Sequence, residues 1–309
     1  MYLGIDIGGS HTKYGLVHEH QVVFANQFSS QKMGLAEILA SLKQLVLAEL
    51  VESDVELSQL KGVAIALPGI VDSKKNILLD INKKLEEAVG YDFSSWSLES
   101  FGIRADLFND AKQALMGEAI SGCAHGVKDI SLVIIGTGIG TAVMMDGKVL
   151  HSRNHVAGNI GGHLIGHVGG RRCTCGNQGC LEAYSSNSIL DEYLKECGID
   201  LKGVKVEGPV DYKVIFDHYE SHKVCKKVGD ELIAHWGSVV INMLHSYDSE
   251  LIVLSGGVFN SSINILEKIK SYVLERAWMP AGSFEIVLAE NPTYSVMLGA
   301  ESKTKNYFM

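Results

Sequence analysis

The residues able to do chemistry are concentrated in a few short stretches. Residues 2–17 read YLGIDIGGSHTKYGLV: an apolar run ending in Asp6, a Gly8-Gly9-Ser10 turn, and a second apolar run. Residues 132–145, LVIIGTGIGTAVMM, repeat that pattern around Thr137-Gly138. Each fits a strand–turn–strand hairpin whose glycines supply positive φ and bare N–H groups. Such a concavity suits an anion, phosphate above all, and two ordinary glycine hairpins are the plainer alternative. Asp6 favours the phosphate reading, because a carboxylate beside such a turn makes sense mainly with Mg²⁺ between them. Lys13 and Ser10 either meet phosphate or metal, or are a solvated strand lysine and a turn serine.

Asp110 lies just beyond a buried strand, where α/β sheets place their ligands, and at the start of a helix. A carboxylate held there can be a general base for a hydroxyl, or only a helix cap. Pro68-Gly69 and Ser255-Gly256-Gly257 also end apolar runs, and each either admits a ligand or makes a turn. Cys173, Cys175 and Cys180, with His163 ten positions before the first, offer three thiolates and an imidazole. That is a closed structural zinc set, with His155 and His167 as alternatives for the fourth ligand. A site with no open position stabilises a loop and does no catalysis. Glu182, two positions past Cys180, would be fixed by the same metal knot.

The elements that must position these residues alternate between strand and helix, which indicates α/β architecture. Expected strands lie at 21–26, 61–67, 103–108, 250–254 and 284–288, with a short unassigned segment at 76–79. Expected helices lie at 35–50, 84–89, 111–120, 181–186, 187–196, 214–227, 231–245, 263–274 and 295–303. A chain of 309 residues exceeds the usual single core, so two domains are expected. The smaller spans 1–121 plus a C-terminal helix at about 292–309; the larger, 122–291, carries the zinc-binding loop. Lys and Arg total 27 against 36 Asp and Glu, for a net charge of -9, which argues against a nucleic-acid partner. No apolar run is long enough to span a bilayer, and no basic leader precedes Tyr2, so a cytoplasmic protein is expected.

Together these stretches resemble the ROK family of sugar kinases, within the actin-like ATPase-domain group. DIGGSHTKYG, Pro68-Gly69, Asn109-Asp110-Ala111, the GTGIG of 136–140 and the CTCGNQGCLE of 173–182 fall in family order. The resemblance implies a two-lobed, ribonuclease H-like α/β fold with the active site in the interdomain cleft. It implies ATP, Mg²⁺ and structural Zn²⁺ as cofactors, a small sugar as substrate, and a homodimer. Asp110 resembles the catalytic base that takes the proton of a sugar hydroxyl, usually the 6-OH. Gly69, Asn109, Asn159, His163 and Glu182 resemble sugar contacts, and His163 with Cys173, Cys175 and Cys180 the zinc ligands. Asp6, Gly8, Gly9, Ser10, Lys13, Thr137, Gly138, Gly256 and Gly257 fall on the nucleotide and Mg²⁺ side.

One departure bears on the substrate. The family stretch Gly-Glu-x-Gly-His here reads Gly158-Asn159-Ile160-Gly161-Gly162-His163, with the glutamate replaced by Asn159 and one glycine inserted. An amide grips a free anomeric hydroxyl less well than a carboxylate does. The expected acceptor is therefore a β-glucoside such as cellobiose, with N-acetylmannosamine or glucose as alternatives. A sugar-binding regulator is the non-enzymatic alternative. Regulators of this type carry a helix-turn-helix ahead of the first motif; with the motif starting at Tyr2, a kinase is the expectation.

Overall fold

The computed structural model describes residues 1–81, 85–280 and 282–304. Two compact units divide it. The first begins with strands β1 (Tyr2–Ile7), β2 (His11–His18) and β3 (Gln21–Ser29) and helix α1 (Leu35–Glu52). Strands β4 (Gly62–Leu67), β5 (Ile70–Asp72) and β6 (Ile77–Asp80), helix α2 (Phe93–Phe101), strand β7 (Ala105–Asn109) and helix α3 (Asp110–Ser121) follow. Its sheet has the order β3-β2-β1-β4-β7. Strands β1, β4 and β7 run parallel, with Asp6 opposite Ala66 and Leu67 opposite Asn109, so their carboxyl ends share one edge. Strand β4 is buried throughout, as an inner strand covered on both faces should be. Helix α1 lays Ile38, Leu42 and Val46 into the core formed with Ile5, Ile65 and Leu107.

Beyond Lys128 the chain forms β8 (Ile130–Ile135) and β9 (Ile139–Met145), then the short β10 (Lys148–Val149). The unit boundary runs through β9, since residues from Ala142 to Asn159 group with the first unit. After the cysteine loop come α4 (Glu182–Ser185), α5 (Leu190–Glu196), α6 (Tyr212–Asp217), α7 (Lys223–Tyr247), β11 (Leu251–Ser255), α8 (Ile265–Leu274) and β12 (Glu285–Leu288). The second sheet is ordered β10-β9-β8-β11-β12, with β8, β11 and β12 parallel. Helix α7 buries Leu232, Trp236, Val240 and Leu244, and the Trp236 indole donates to the Ser185 carbonyl at 2.9 Å. The chain then returns to the first unit as α9 (Ser295–Leu298) and a 3₁₀ turn, Gly299–Thr304.

The mixed α/β class and the two sheet-bearing lobes agree with expectation, but several boundaries do not. The units divide at Lys128/Asp129, not at 121, and residues 142–159 leave the expected larger domain, so the first unit is the longer one. The expected helix 214–227 is two helices. Residues 218–222 break it, and the His222 side chain caps α7 by accepting from Cys225 N–H. Near 84–89 only the 3₁₀ turn Glu86–Ala88 forms, and Lys84 lies outside the described residues, as do 305–309 of the expected terminal helix. Helix α2 and strand β5 had no counterpart in the sequence reading. No helix among the described residues is long and apolar enough to cross a membrane.

Candidate active site

The parallel strands of the first unit bring Asp6, the Pro68-Gly69 turn and Asn109-Asp110 to one edge. Asn109 caps α3: its Oδ1 accepts from Lys112 N–H at 3.2 Å, while its Nδ2 donates to the Gly69 carbonyl at 3.1 Å. The open alternative of cap or base is thereby resolved in part, since Asn109 and not Asp110 is the cap. The Asp110 Oδ1 accepts from Ala111 N–H at 2.8 Å and from the Asn109 amide at 3.0 Å, which fixes the carboxyl group. Burial, and after it the negative charge of Asp6, lift the Asp110 pKa from 3.8 to about 7, against the pull of those hydrogen bonds. Burial likewise raises Asp6 to about 6, opposed by the charge of Lys13, its cross-strand partner. A carboxylate that titrates near neutrality and is held rigidly is suited to proton transfer.

The glycines of the two hairpin turns do not work as expected. Gly8, Gly9, Gly136, Gly138 and Gly140 are not among the positive-φ residues. Their value is steric where it is visible. A Cβ on Gly8 would lie 2.9 Å from the His11 carbonyl oxygen, and one on Gly138 would lie 2.8 Å from a Glu182 carboxylate oxygen. Among the described residues, the N–H groups of Gly9, Ser10, Thr137 and Gly138 have no protein acceptor. Anion binding needs such free donors. Thr12, beside the first turn, is fully buried and its hydroxyl is unpartnered. At the end of β4, Gly69 has φ 99°, and a Cβ there would strike the Asp80 carbonyl, so its glycine is accounted for by the turn. Gly256 (φ 126°) packs on Ile135, whereas Gly257 faces open space, the arrangement a ligand needs.

His163, Cys173, Cys175 and Cys180 converge, with their ligand atoms all within 4.8 Å of one another. The Cys175 and Cys180 sulfurs are 3.7 Å apart, and the Cys173 sulfur is 3.5 Å from His163 Nδ1. Tetrahedral zinc with bonds of about 2.3 Å to sulfur requires edges of roughly 3.8 Å, so the donor set fits that ion. Of the alternative histidines, His155 faces Asp72 at 3.5 Å and His167 faces His235 at 3.3 Å, which leaves His163 with the cysteines. Burial pushes the Cys180 thiol up to about 12, and a bound cation would offset that cost of forming the thiolate. Glu182 Oε2 accepts from Ile139 N–H at 2.8 Å, and Oε1 lies 3.8 Å from His163 Nε2. One carboxylate thus joins the GTGIG turn to the metal-type cluster.

Sequence reasoning missed Lys112, His151 and Asp72. Lys112 is buried, and burial lowers its pKa to about 8. It sits three residues into a helix, where a lysine ordinarily reads as solvated, so nothing in the pattern singled it out. Asn159 is buried, with its Oδ1 lacking a partner.

Acidic and glycine-rich strand ends thus lie in one α/β unit and a Cys₃His loop in the other. The model of the ROK family matches residues 2–306, and the protein belongs to that family. It is 24% identical to a glucokinase of Thermotoga maritima, over 98% of this chain and 96% of that one. A xylose repressor of Bacillus spizizenii is 26% identical over 80% of this chain, but only 62% of the repressor is covered. Among solved structures, a ROK hexokinase from Thermus thermophilus superposes with a TM-score of 0.80 at 22% identity, over 97% of this chain and 96% of the hexokinase.

Proposed function

We propose that the protein is an ATP-dependent sugar kinase that phosphorylates the 6-hydroxyl of a hexose unit. The observation that carries this reading is Asp110, a rigidly held carboxyl group at the carboxyl end of β7 whose pKa is lifted to about 7. In the reaction Asp110 accepts the proton of the 6-hydroxyl as that oxygen bonds to the γ-phosphorus of ATP. The bond from that phosphorus to the β–γ bridging oxygen breaks, and ADP leaves. Gly69 and Asn109, joined by their hydrogen bond, hold the sugar beside the base. On this reading Glu182 and His163 are further hydroxyl contacts. The free N–H groups of Gly9, Ser10, Thr137 and Gly138 receive phosphate oxygens, and Gly256-Gly257 lies beside the nucleotide. Asp6, a carboxylate next to donor-rich backbone, fits a Mg²⁺ ligand. When bound, that ion neutralises charge on the transferring phosphoryl group. The Cys₃His cluster holds Zn²⁺ and fixes the loop that carries His163 and Glu182.

For the acceptor we take a β-glucoside such as cellobiose. Asn159 replaces the carboxylate expected at the anomeric side, and its buried, unpartnered Oδ1 is free to accept one hydroxyl. The decisive experiment is ADP release with Mg-ATP over glucose, N-acetylmannosamine, N-acetylglucosamine, cellobiose and phenyl β-glucoside, with Asp110→Asn alongside. Preference for the glucosides supports the reading in full. Preference for a free monosaccharide keeps the kinase and overturns the acceptor. Sugar binding without turnover in the wild type would favour a regulator.

A further inference from the structure

A second cluster of ionisable groups lies in the first unit beside the proposed sugar contacts. Asp72 at the end of β5, Lys112 in the first turn of α3, and His151 and His155 in the segment after β10 form it. Lys112 is 6% exposed, and among the described residues its ammonium has no acidic partner. The carboxylate of this cluster, Asp72, is already committed. Asp72 Oδ1 accepts from the N–H groups of Lys74 and Lys75, both at 3.1 Å, and Oδ2 faces His155 Nε2 at 3.5 Å. His155 adopts a left-handed backbone (φ 61°), and its Nδ1 is buried without a partner. The rings of His151 and His155 are 5.2 Å apart. A largely buried lysine without a counter-charge is costly to keep charged, and an incoming anion would offset that cost.

The cluster touches the sugar half-site through the backbone. Asn109, hydrogen-bonded to Gly69, caps the helix turn that carries Lys112. His155 is four residues before Asn159, where a family carboxylate has given way to an amide. Both features shift the local charge in the same direction. We propose that Lys112, with His151 and His155, binds a carboxylate carried by the substituent on the anomeric side of the acceptor. A monoanion is the matching ligand. Lys112 supplies one positive charge, while burial and the charges of Lys112 and Lys74 depress His151, leaving it a neutral hydrogen-bonding group near pH 7. This rests on the reading of Gly69, Asn109 and Asp110 as the sugar site, but not on catalysis.

The test compares 4-carboxyphenyl β-glucoside with its neutral isostere, 4-carbamoylphenyl β-glucoside, by calorimetry on the full-length protein without nucleotide. The carboxylate should bind about ten- to a hundredfold more tightly, as expected for one desolvated charge-assisted contact. Lys112→Gln should erase the preference, and Lys112→Arg should restore part of it. Imidazole NMR signals of His151 and His155 should move with the carboxylate ligand and not with the amide. Equal affinity for the two glucosides in the wild type, or binding of neither, overturns the proposal whatever the variants do. Equal tightness of 4-hydroxybenzoate alone would also overturn it, because the anion would then need no sugar. None of these outcomes touches the kinase reading, which ADP release on the neutral sugars decides separately.

Discussion

Replacing Asp110 with asparagine should make the protein less active and more stable. The variant keeps an oxygen able to accept from Ala111 N–H and from the Asn109 amide, so the local geometry survives. It removes the proposed base, and turnover should fall by about 10²- to 10⁴-fold. The stability effect follows from linkage. The unfolded chain releases this proton near 3.8 and the folded protein near 7, so ionisation costs the fold stability as pH rises through that window. A change of one in pKa corresponds to about 1.4 kcal/mol, which sets a ceiling of roughly 4 kcal/mol. Partial access of solvent to Asp110 reduces the expected gain to about 1–2 kcal/mol at pH 8. For units of this size that is a rise in melting temperature of about 2–8 °C, growing from pH 4 to pH 7 and level above. Thermal unfolding at several pH values, paired with ADP-release kinetics, measures both effects. An inactive variant that is less stable than wild type at pH 8 would refute the account of Asp110 as a strained, desolvated base. So would a variant that retains more than about a tenth of the activity.

Three further outcomes are expected. Cys175→Ser should lower bound zinc, measured by elemental analysis, and reduce the melting temperature by about 5 °C or more, as chelation should in the wild type. Gly256→Ala should destabilise by more than about 3 kcal/mol in a urea titration, because φ is 126° and the new Cβ would sit 2.0 Å from the Ile135 carbonyl oxygen. Glu118→Ala should cost about 3–5 kcal/mol and render the C-terminal segment open to limited proteolysis. It would strip the acceptor from the part-buried N–H groups of Cys123, Glu290 and Asn291 and from the buried Ser295 hydroxyl.

The apolar runs of β1, β4, β8 and β11 were legible because strands of this kind are buried on both faces and the composition says so. The position of Asp110 was legible for the same reason, since the strand before it ends where the polar pair begins. Helix α2 was not, because FSSWSLESF has too many serines to show an apolar stripe. Its ends carried the signal instead: Asp92 accepts from Ser95 N–H, and Gly102 closes the helix at φ 77°. The break at 218–222 was hidden because helical periodicity continues on both sides of it. The grouping of residues 142–159 with the first unit, and the convergence of Asp72, Lys112, His151 and His155, depend on contacts distant in sequence. No local pattern encodes those.

The first unit is assembled from the beginning, the middle and the end of the chain, while most of the second is one stretch from Ile160 to Leu288. During synthesis the second unit can therefore complete itself before the first. The carboxylate of Glu118 must wait some 170 residues for the backbone of Glu290 and Asn291. Gly117 is kept bare for the same late arrival, since a Cβ there would lie 1.9 Å from the Ser295 carbonyl oxygen. Helix α3, which begins at Asp110, therefore gains its last packing partners only when the C-terminal segment arrives. Ribosomes stalled short of residue 290 would carry the complete Cys₃His stretch of the second unit while Glu118, in the first, still lacked its backbone partners.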